Sequence, residues 1–179
     1  LPLSSGTVRG EVDILVQDDA TNMELNLNLA LNALTGQFNG LHLDDSSINL
    51  KAKAAGSKHG LIADTLAASI SNGKETFFNF RGKGQMNIDT LSGQLEVQEL
   101  RMDAAGVQTL LPTLPEIHGT FTSNGIVIRD EDGALRFRLS SGLSSGQFKS
   151  LGAFPSPLQI TTVGEFADRL LNIRTAQLS

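Results

Sequence analysis

The chain has 179 residues, of which 40% are hydrophobic and 18% charged, and this length and composition are typical of one folded domain. The net charge is −5 and the 14 Lys and Arg residues are scattered, which argues against a nucleic-acid partner because duplex-binding proteins carry a basic stripe. The absence of Cys excludes disulfides and thiolate metal sites, and the absence of Trp and Tyr argues mildly against a sugar-stacking face or a protein-binding hot spot.

Residues 23–33 carry the most informative pattern, an almost perfect alternation of apolar and polar side chains. The apolar parity consists of Met23, Leu25, Leu27, Leu29, Leu31 and Ala33. Apart from Ala30, the other parity is made of Glu and Asn. Successive side chains of a strand point to opposite faces, so this segment predicts a strand of roughly 35 Å with one apolar and one polar face.

The same alternation predicts about eleven antiparallel strands joined by short turns, with no strong amphipathic helix. Twelve segments carry the alternation from which these strands are predicted: residues 7–17, 23–33, 35–43 (broken at Gly40), 47–54, 61–71, 75–89, 91–102, 117–129, 134–140, 146–154, 158–166 and 170–178. The predicted connections include turns at residues 18–22, 44–47 and 130–133, a polar loop at 55–60 and a hairpin at Asn72-Gly73. The hairpin signal is the strongest, since a type I′ turn needs positive φ at both central positions.

Several positions interrupt the alternation. Gly82 and Gly84 lie on the apolar parity of their strand and indicate a bend, a bulge or the close approach of another group. A break of parity near Glu99 and Leu100 indicates a β-bulge. The other irregular stretches are residues 103–115, a short helical turn or apolar loop; Pro155 and Pro157, which prevent regular pairing; and residues 165–171, which allow a short helix instead of a strand.

The overall pattern predicts an all-β, antiparallel fold in a single domain over residues 1–179. Two architectures satisfy it: one long sheet curled like a taco around an apolar concave face, or a two-sheet β-sandwich with a filled core. Periodicity does not separate them, although the long strands and the flexible Leu, Phe and Met side chains favour the curled sheet. The sequence begins at Leu1 with no signal peptide and no apolar run long enough to span a bilayer, which is typical of a segment excised from a longer protein.

The sequence contains no convincing active site. His42, His59 and His118 have no neighbours at metal-ligand spacing. Residues 130–133 resemble the start of a calcium loop but lack its later ligands, so a turn is the better interpretation. A nucleophile elbow and a phosphate-binding glycine loop are both absent. We therefore expect no catalytic residue, no metal and no cofactor, and an enzyme is the weakest hypothesis.

Gly-led, alternating segments rich in Leu and Asn occupy residues 7–14, 34–43, 91–98 and 124–128. They resemble the strands of the AsmA-like family of Gram-negative envelope proteins, which includes the TamB, YhdP and YdbH types, and the YdbH type is the nearest. The resemblance covers essentially the whole chain and rests on texture rather than on a diagnostic motif. It implies a periplasmic taco-shaped sheet that carries phospholipid acyl chains between the inner and outer membranes, in a protein anchored in the inner membrane.

Under this resemblance the alternate apolar side chains line a lipid-binding groove with phospholipid as the partner. Open sheet edges would continue into flanking β-segments of the same protein, or would accept a partner strand from an outer-membrane protein or lipoprotein. The main alternative is a structural or adhesive extracytoplasmic β-module with a filled core. The predicted groove residues are Leu25, Leu27, Leu29, Leu31, Ile48, Leu50, Phe78, Phe80, Met86, Ile88, Leu95, Val97, Phe137 and Leu139.

Overall fold

The computed structural model describes residues 5–17, 19, 21–38, 41–73, 75–111, 117–148, 152–153, 158–167 and 170–178. These residues form eleven strands and one short helix. The elements are β1 (Ser5–Gln17), β2 (Asn22–Phe38), β3 (Leu41–Ser57), β4 (Gly60–Asn72), β5 (Glu75–Asn87), β6 (Gly93–Asp103), α1 (Ala104–Leu110), β7 (Ile117–Arg129), β8 (Leu135–Phe148), β9 (Gly152–Ala153), β10 (Leu158–Ala167) and β11 (Leu170–Leu178).

All of these strands belong to one antiparallel sheet with the order β1-β2-β3-β4-β5-β6-β7-β8-β10-β11, and β9 pairs only with β8. Each strand therefore lies beside its neighbour in sequence, apart from the short β9. The sheet is open, because β1 and β11 lie at opposite edges and no described residues pair them. The predicted all-β antiparallel fold is confirmed, and the strands form one hydrogen-bonded sheet rather than the two of the sandwich alternative.

The prediction for residues 35–47 is wrong. Residues 35–38 end β2 and residues 41–57 form β3, so no separate strand covers 35–43 and no turn reverses the chain at 44–47. Instead Ala33 and Asp45 adopt positive φ values of 51° and 50° and produce facing bulges in β2 and β3. An extra residue in a strand shifts its parity, so Ala33 is exposed and Leu34, only 5% exposed, takes its place on the apolar side.

Other predicted boundaries also change, because alternation continues through positions that resemble loops. The loop predicted at 55–60 shrinks to the turn at Lys58 and His59 between β3 and β4. The strands predicted at 134–140 and 146–154 are largely one strand, β8. The helix alternative at 165–171 is wrong, since β10 and β11 form an antiparallel pair there. Gly40, Pro155 and Pro157 lie outside the described residues.

Three local predictions are confirmed. β4 and β5 form the predicted hairpin, although Asn72 ends β4 and pairs with Glu75, so of the two predicted central positions only Gly73 has positive φ, 55°. The bulge predicted near Glu99 arises because Arg81 faces Glu99 while the next residue, Gly82, faces Val97, which leaves one extra residue in β6. The predicted helical turn is α1, and its N-terminus is capped by Asp103, whose Oδ1 accepts a hydrogen bond from the Gly106 N–H at 3.1 Å.

The buried core lies at one end of the sheet, where α1 packs against β3, β5, β6 and β7. Its centre is formed by Leu34, Leu43, Phe77 and Leu110. The helix approaches β5 closely at Gly106, where an added Cβ would lie 2.1 Å from Phe77 Cβ. Leu31, Ile48, Ile70 and Phe78 pack against the edge of this cluster. We call this the helix end of the sheet, and the rest of the sheet extends away from it.

Candidate functional site

The strand register places the apolar parity of each strand beside the apolar parity of the next. Leu27 of β2 faces Val12 of β1 on one side and Ala52 of β3 on the other. Residues directly opposite each other in an antiparallel pair share a face, so a row can be followed from strand to strand. The row through Leu27 contains Val12, Leu27, Ala52, Leu66, Gly82, Val97, Gly125, Leu139 and Thr162.

Neighbouring rows have the same character and contain most of the predicted groove residues. One row holds Leu31, Ile48 and Phe78, the next holds Leu29, Leu50 and Phe80, and another holds Leu25, Leu95 and Phe137. Met86 lies in the last apolar row before the end of the sheet opposite the helix, and we call that end the turn end. These side chains are half-buried, apart from Val97, which is buried, and Met86, which is exposed.

Ile88 is the one predicted groove residue that does not lie in these rows. The strand predicted to run to Asp89 ends at Asn87. Ile88 begins the turn between β5 and β6, where its N–H donates a hydrogen bond of 2.9 Å to the His59 carbonyl. Its parity in the sequence therefore does not determine its face, because the strand geometry that fixes parity has already ended.

Apolar side chains remain uncovered at both edges of the sheet. On β1, Val8, Val12, Ile14 and Val16 face β2 residues of the apolar rows, and Val8 is 69% exposed. On β11, Leu171 and Ile173 face β10 residues of the same rows and are also more than half exposed. Extended exposed apolar surface of this kind marks a binding surface more often than an ordinary protein exterior.

A cavity of about 440 Å³ lies on this surface near the turn end. Strands β3 to β8 all contribute to its lining, which is almost entirely apolar. Representative lining residues, one from each strand, are Ala54, Leu66, Met86, Leu95, Val127 and Leu135. The volume is within the range of about 300–1,000 Å³ that small-molecule sites occupy. Alternation in the sequence indicates the face on which this cavity lies. It does not indicate which small residues, such as Ala54 and Ala63, line the cavity and leave it empty.

The opposite parity carries charge. Facing residues form ion pairs across the strands, with Arg81 Nε 3.8 Å from Glu99 Oε2 and Lys83 Nζ 3.3 Å from Glu96 Oε2. At the turn after β7, Arg136 Nε donates to Asp130 Oδ2 at 2.6 Å. This hydrogen bond lowers the pKa of Asp130, against a smaller opposing effect of desolvation. The charged face therefore fits contact with water.

One charged contact was missed by the sequence analysis. His59 Nδ1 lies 2.7 Å from Asp89 Oδ2, and both side chains are more than half exposed. The sequence did not indicate this pair because it joins two turns that are 30 positions apart. The turn predicted at 130–133 is confirmed by a hydrogen bond of 3.0 Å from the Gly133 N–H to the Asp130 carbonyl. Within the described residues, no group of three or more His, Asp or Glu side chains could hold a metal ion.

Comparisons with protein-family models, with curated proteins and with solved structures find no match to this chain. Among the helices of the described residues, none is long and apolar enough to cross a membrane. Function must therefore be argued from the sheet itself, with its uncovered apolar rows and its cavity.

Proposed function

We propose that the chain is a non-catalytic segment of a cell-envelope bridge protein, whose sheet curls into a groove that shields phospholipid acyl chains in transit between the inner and outer membranes. The observation that carries this proposal is the alignment of apolar parities across the whole strand order, which no element of the described residues covers away from the helix end. The setting, a periplasmic protein anchored in the inner membrane, comes from the resemblance to the AsmA-like family.

The shape of the cavity supports a curled sheet. Ala54 of β3 and Leu135 of β8 line the same cavity although four strands lie between them. In a flat sheet five strand spacings of about 4.8 Å would separate these strands by about 24 Å, which is too far for one small cavity. Curvature toward the apolar side brings them closer, and the right-handed twist of long antiparallel strands supplies part of it.

The accessible surface supports an open groove. It is 11767 Å² for a chain of 19.0 kDa, whereas a compact monomer of that mass exposes about 8,400 Å². A filled β-sandwich hides both inner faces and would lie near the compact value. The excess is consistent with a sheet that leaves much of one apolar face accessible to a ligand.

The chemistry of acyl chains matches such a surface. Each methylene moved out of water is worth about 0.8 kcal/mol, so a chain of about 15 methylenes would lose on the order of 12 kcal/mol if it crossed water unshielded. Rows of Leu, Val, Ile and Phe provide a continuous apolar surface that makes no specific polar contacts, so an acyl chain can slide along it. The open edges at β1 and β11 would let the track continue into flanking β-segments, or would accept a partner strand.

Lipid bound to the purified protein tests the proposal. We expect phospholipid in stoichiometric amounts by denaturing extraction and mass spectrometry, and its loss in the double variant Leu27→Asp, Phe80→Asp. The matched control is Asn28→Asp, which introduces the same carboxylate one residue away on the opposite, exposed face. A folded double variant that retains its lipid would refute the groove. A folded, lipid-free parent protein would instead favour the structural or adhesive module.

A further inference from the structure

We propose that Arg129 holds the anionic phosphate head of a lipid whose acyl chain occupies the cavity at the turn end. This inference rests on the proposed function and adds an orientation to it, with the head at the turn end and the chain running towards the helix end. It also names a ligand class, acyl lipids with a phosphate head.

The position of Arg129 is unusual for a charged residue. It ends β7, faces Gly93 of β6 and Leu135 of β8, and so belongs to the apolar parity. Five apolar rows run from the row of Phe78 to the row of Met86, counting both. Among the described residues of these five rows, Arg129 is the only charged one. It also lines the apolar cavity. Arg129 is exposed at the rim of the cavity, so its aliphatic stem can lie on the apolar surface while its guanidinium stays in water and remains accessible to an anion.

The charge of Arg129 has no counter-ion among the described residues. Other basic residues, such as Lys83 and Arg136, pair with carboxylates on the charged face. Arg129 donates from Nη1 to the Leu91 carbonyl oxygen. A guanidinium has five N–H donors in a planar fork that matches phosphate oxygens. Donors therefore remain for an anion at the mouth of the cavity.

The turn between β5 and β6 holds this arginine over the cavity. Leu91 has φ 55°, a left-handed conformation that is costly for a residue with a side chain. In this conformation its carbonyl accepts from Arg129 while its side chain lines the cavity and stays 54% exposed. One strained residue thus provides both an anchor for the cation and an apolar contact for the chain.

The guanidinium of Arg129 lies beside the turn that follows β7. Gly133 follows in the next turn, and an added Cβ there would lie 3.7 Å from Arg129 Nη2. A phosphate could approach from the solvent at this point while its acyl chain lies against Leu95 and Val127.

Binding of two lipids that differ only in the head group tests the assignment. The probes are palmitoyl lysophosphatidic acid and the uncharged monopalmitoylglycerol, titrated below their micellar concentrations and followed by calorimetry. Palmitate serves as a third probe, because a carboxylate would also pair with arginine. We expect Arg129→Gln to weaken binding of the lysophosphatidic acid about tenfold to a hundredfold, as for loss of charge-assisted hydrogen bonds, and to change the binding of monopalmitoylglycerol less than twofold.

The controls separate charge from packing and from folding. Arg129→Lys keeps the charge but lacks the planar fork, so we expect it to bind the lysophosphatidic acid more tightly than Arg129→Gln and less tightly than the parent protein. Arg101→Gln removes an exposed arginine from the opposite face and leaves all three affinities unchanged. Equal weakening of both palmitoyl probes by Arg129→Gln would overturn the inference and leave the groove intact. Tighter binding of palmitate than of the lysophosphatidic acid would overturn the phosphate assignment. Failure of the parent protein to bind any probe would overturn the groove as well.

Discussion

The substitution Ala63→Leu distinguishes an open apolar groove from a filled core. Ala63 lies on β4 between Ala54 and Gly84 in the same row, and it lines the cavity of about 440 Å³. In a filled core, three extra carbons would force neighbouring side chains and backbone to move, at a cost of about 1–3 kcal/mol. In an open cavity they would enter existing space and bury apolar surface.

The expected gain in the free energy of unfolding depends on how much of the added side chain is buried. Three fully buried methylene equivalents would be worth about 2.4 kcal/mol. Ala63 itself is half-buried, so about half of that value, roughly 1 kcal/mol, is the expected increase in the free energy of unfolding. For a domain of this size the melting temperature would rise by about 2–4 °C. The added side chain would also occupy the space proposed for an acyl chain, so lipid binding should weaken as stability rises.

Far-UV circular dichroism during urea unfolding is the appropriate assay, since the chain has neither Trp nor Tyr for fluorescence. The matched control is Ala67→Leu, which makes the same change on the same strand but faces Lys51 and Arg81 on the charged side. We expect no comparable gain there. Destabilisation of Ala63→Leu by 1 kcal/mol or more would show that the cavity cannot accept the side chain and would contradict an open groove.

Three further predictions concern single groups. Ser46 is fully buried and its Oγ has no hydrogen-bond partner among the described residues, so Ser46→Ala should raise the free energy of unfolding by about 1 kcal/mol in urea denaturation; a loss of stability would reveal a partner for the hydroxyl. Gly125 has φ 145°, and an added Cβ would lie 2.1 Å from the Arg138 carbonyl oxygen, so Gly125→Ala should destabilise the fold by about 2 kcal/mol, whereas an unchanged urea midpoint would contradict the close strand approach. The pKa of Asp130 is lowered from 3.8 by Arg136, so this pair stabilises the folded state above the unfolded pKa and loses that contribution as the pH falls through the folded pKa. An NMR titration should place the Asp130 midpoint below 3.8 and return it towards that value in Arg136→Gln; equal midpoints in both proteins would contradict the contact.

Alternation in the sequence predicted the strands well because it reports a local property, the face on which each side chain lies. It located β1, β7 and β10 to within about two residues, consistent with the usual uncertainty of element ends. It failed where a bulge changes parity, as at Ala33, because a bulge depends on the facing strand as well as on its own residues. The acidic pair Asp44-Asp45 was predicted as a turn because the sequence of one strand does not show that these residues form a bulge opposite β2.

The sequence predicted which face of the sheet carries the candidate site, but it did not predict where on that face the cavity lies. The sequence indicated that Leu27 and Phe80 share an apolar face, and the strand register agrees. It could not indicate the cavity, which depends on which small residues of six strands meet. It also could not single out Arg129, since an arginine at a strand end is ordinary until the register shows which face it occupies.

Site-specific photo-crosslinking of radiolabelled phospholipid along β2 tests whether lipid lies on the apolar face of the sheet. A photoreactive amino acid would be placed in turn at the consecutive positions 25 to 29 of the purified protein. We predict lipid adducts at Leu25, Leu27 and Leu29 and none at Asn26 and Asn28, a period of two that matches the faces of the strand. Equal labelling of both parities, or no labelling at any of the five positions, would contradict an apolar face that carries lipid.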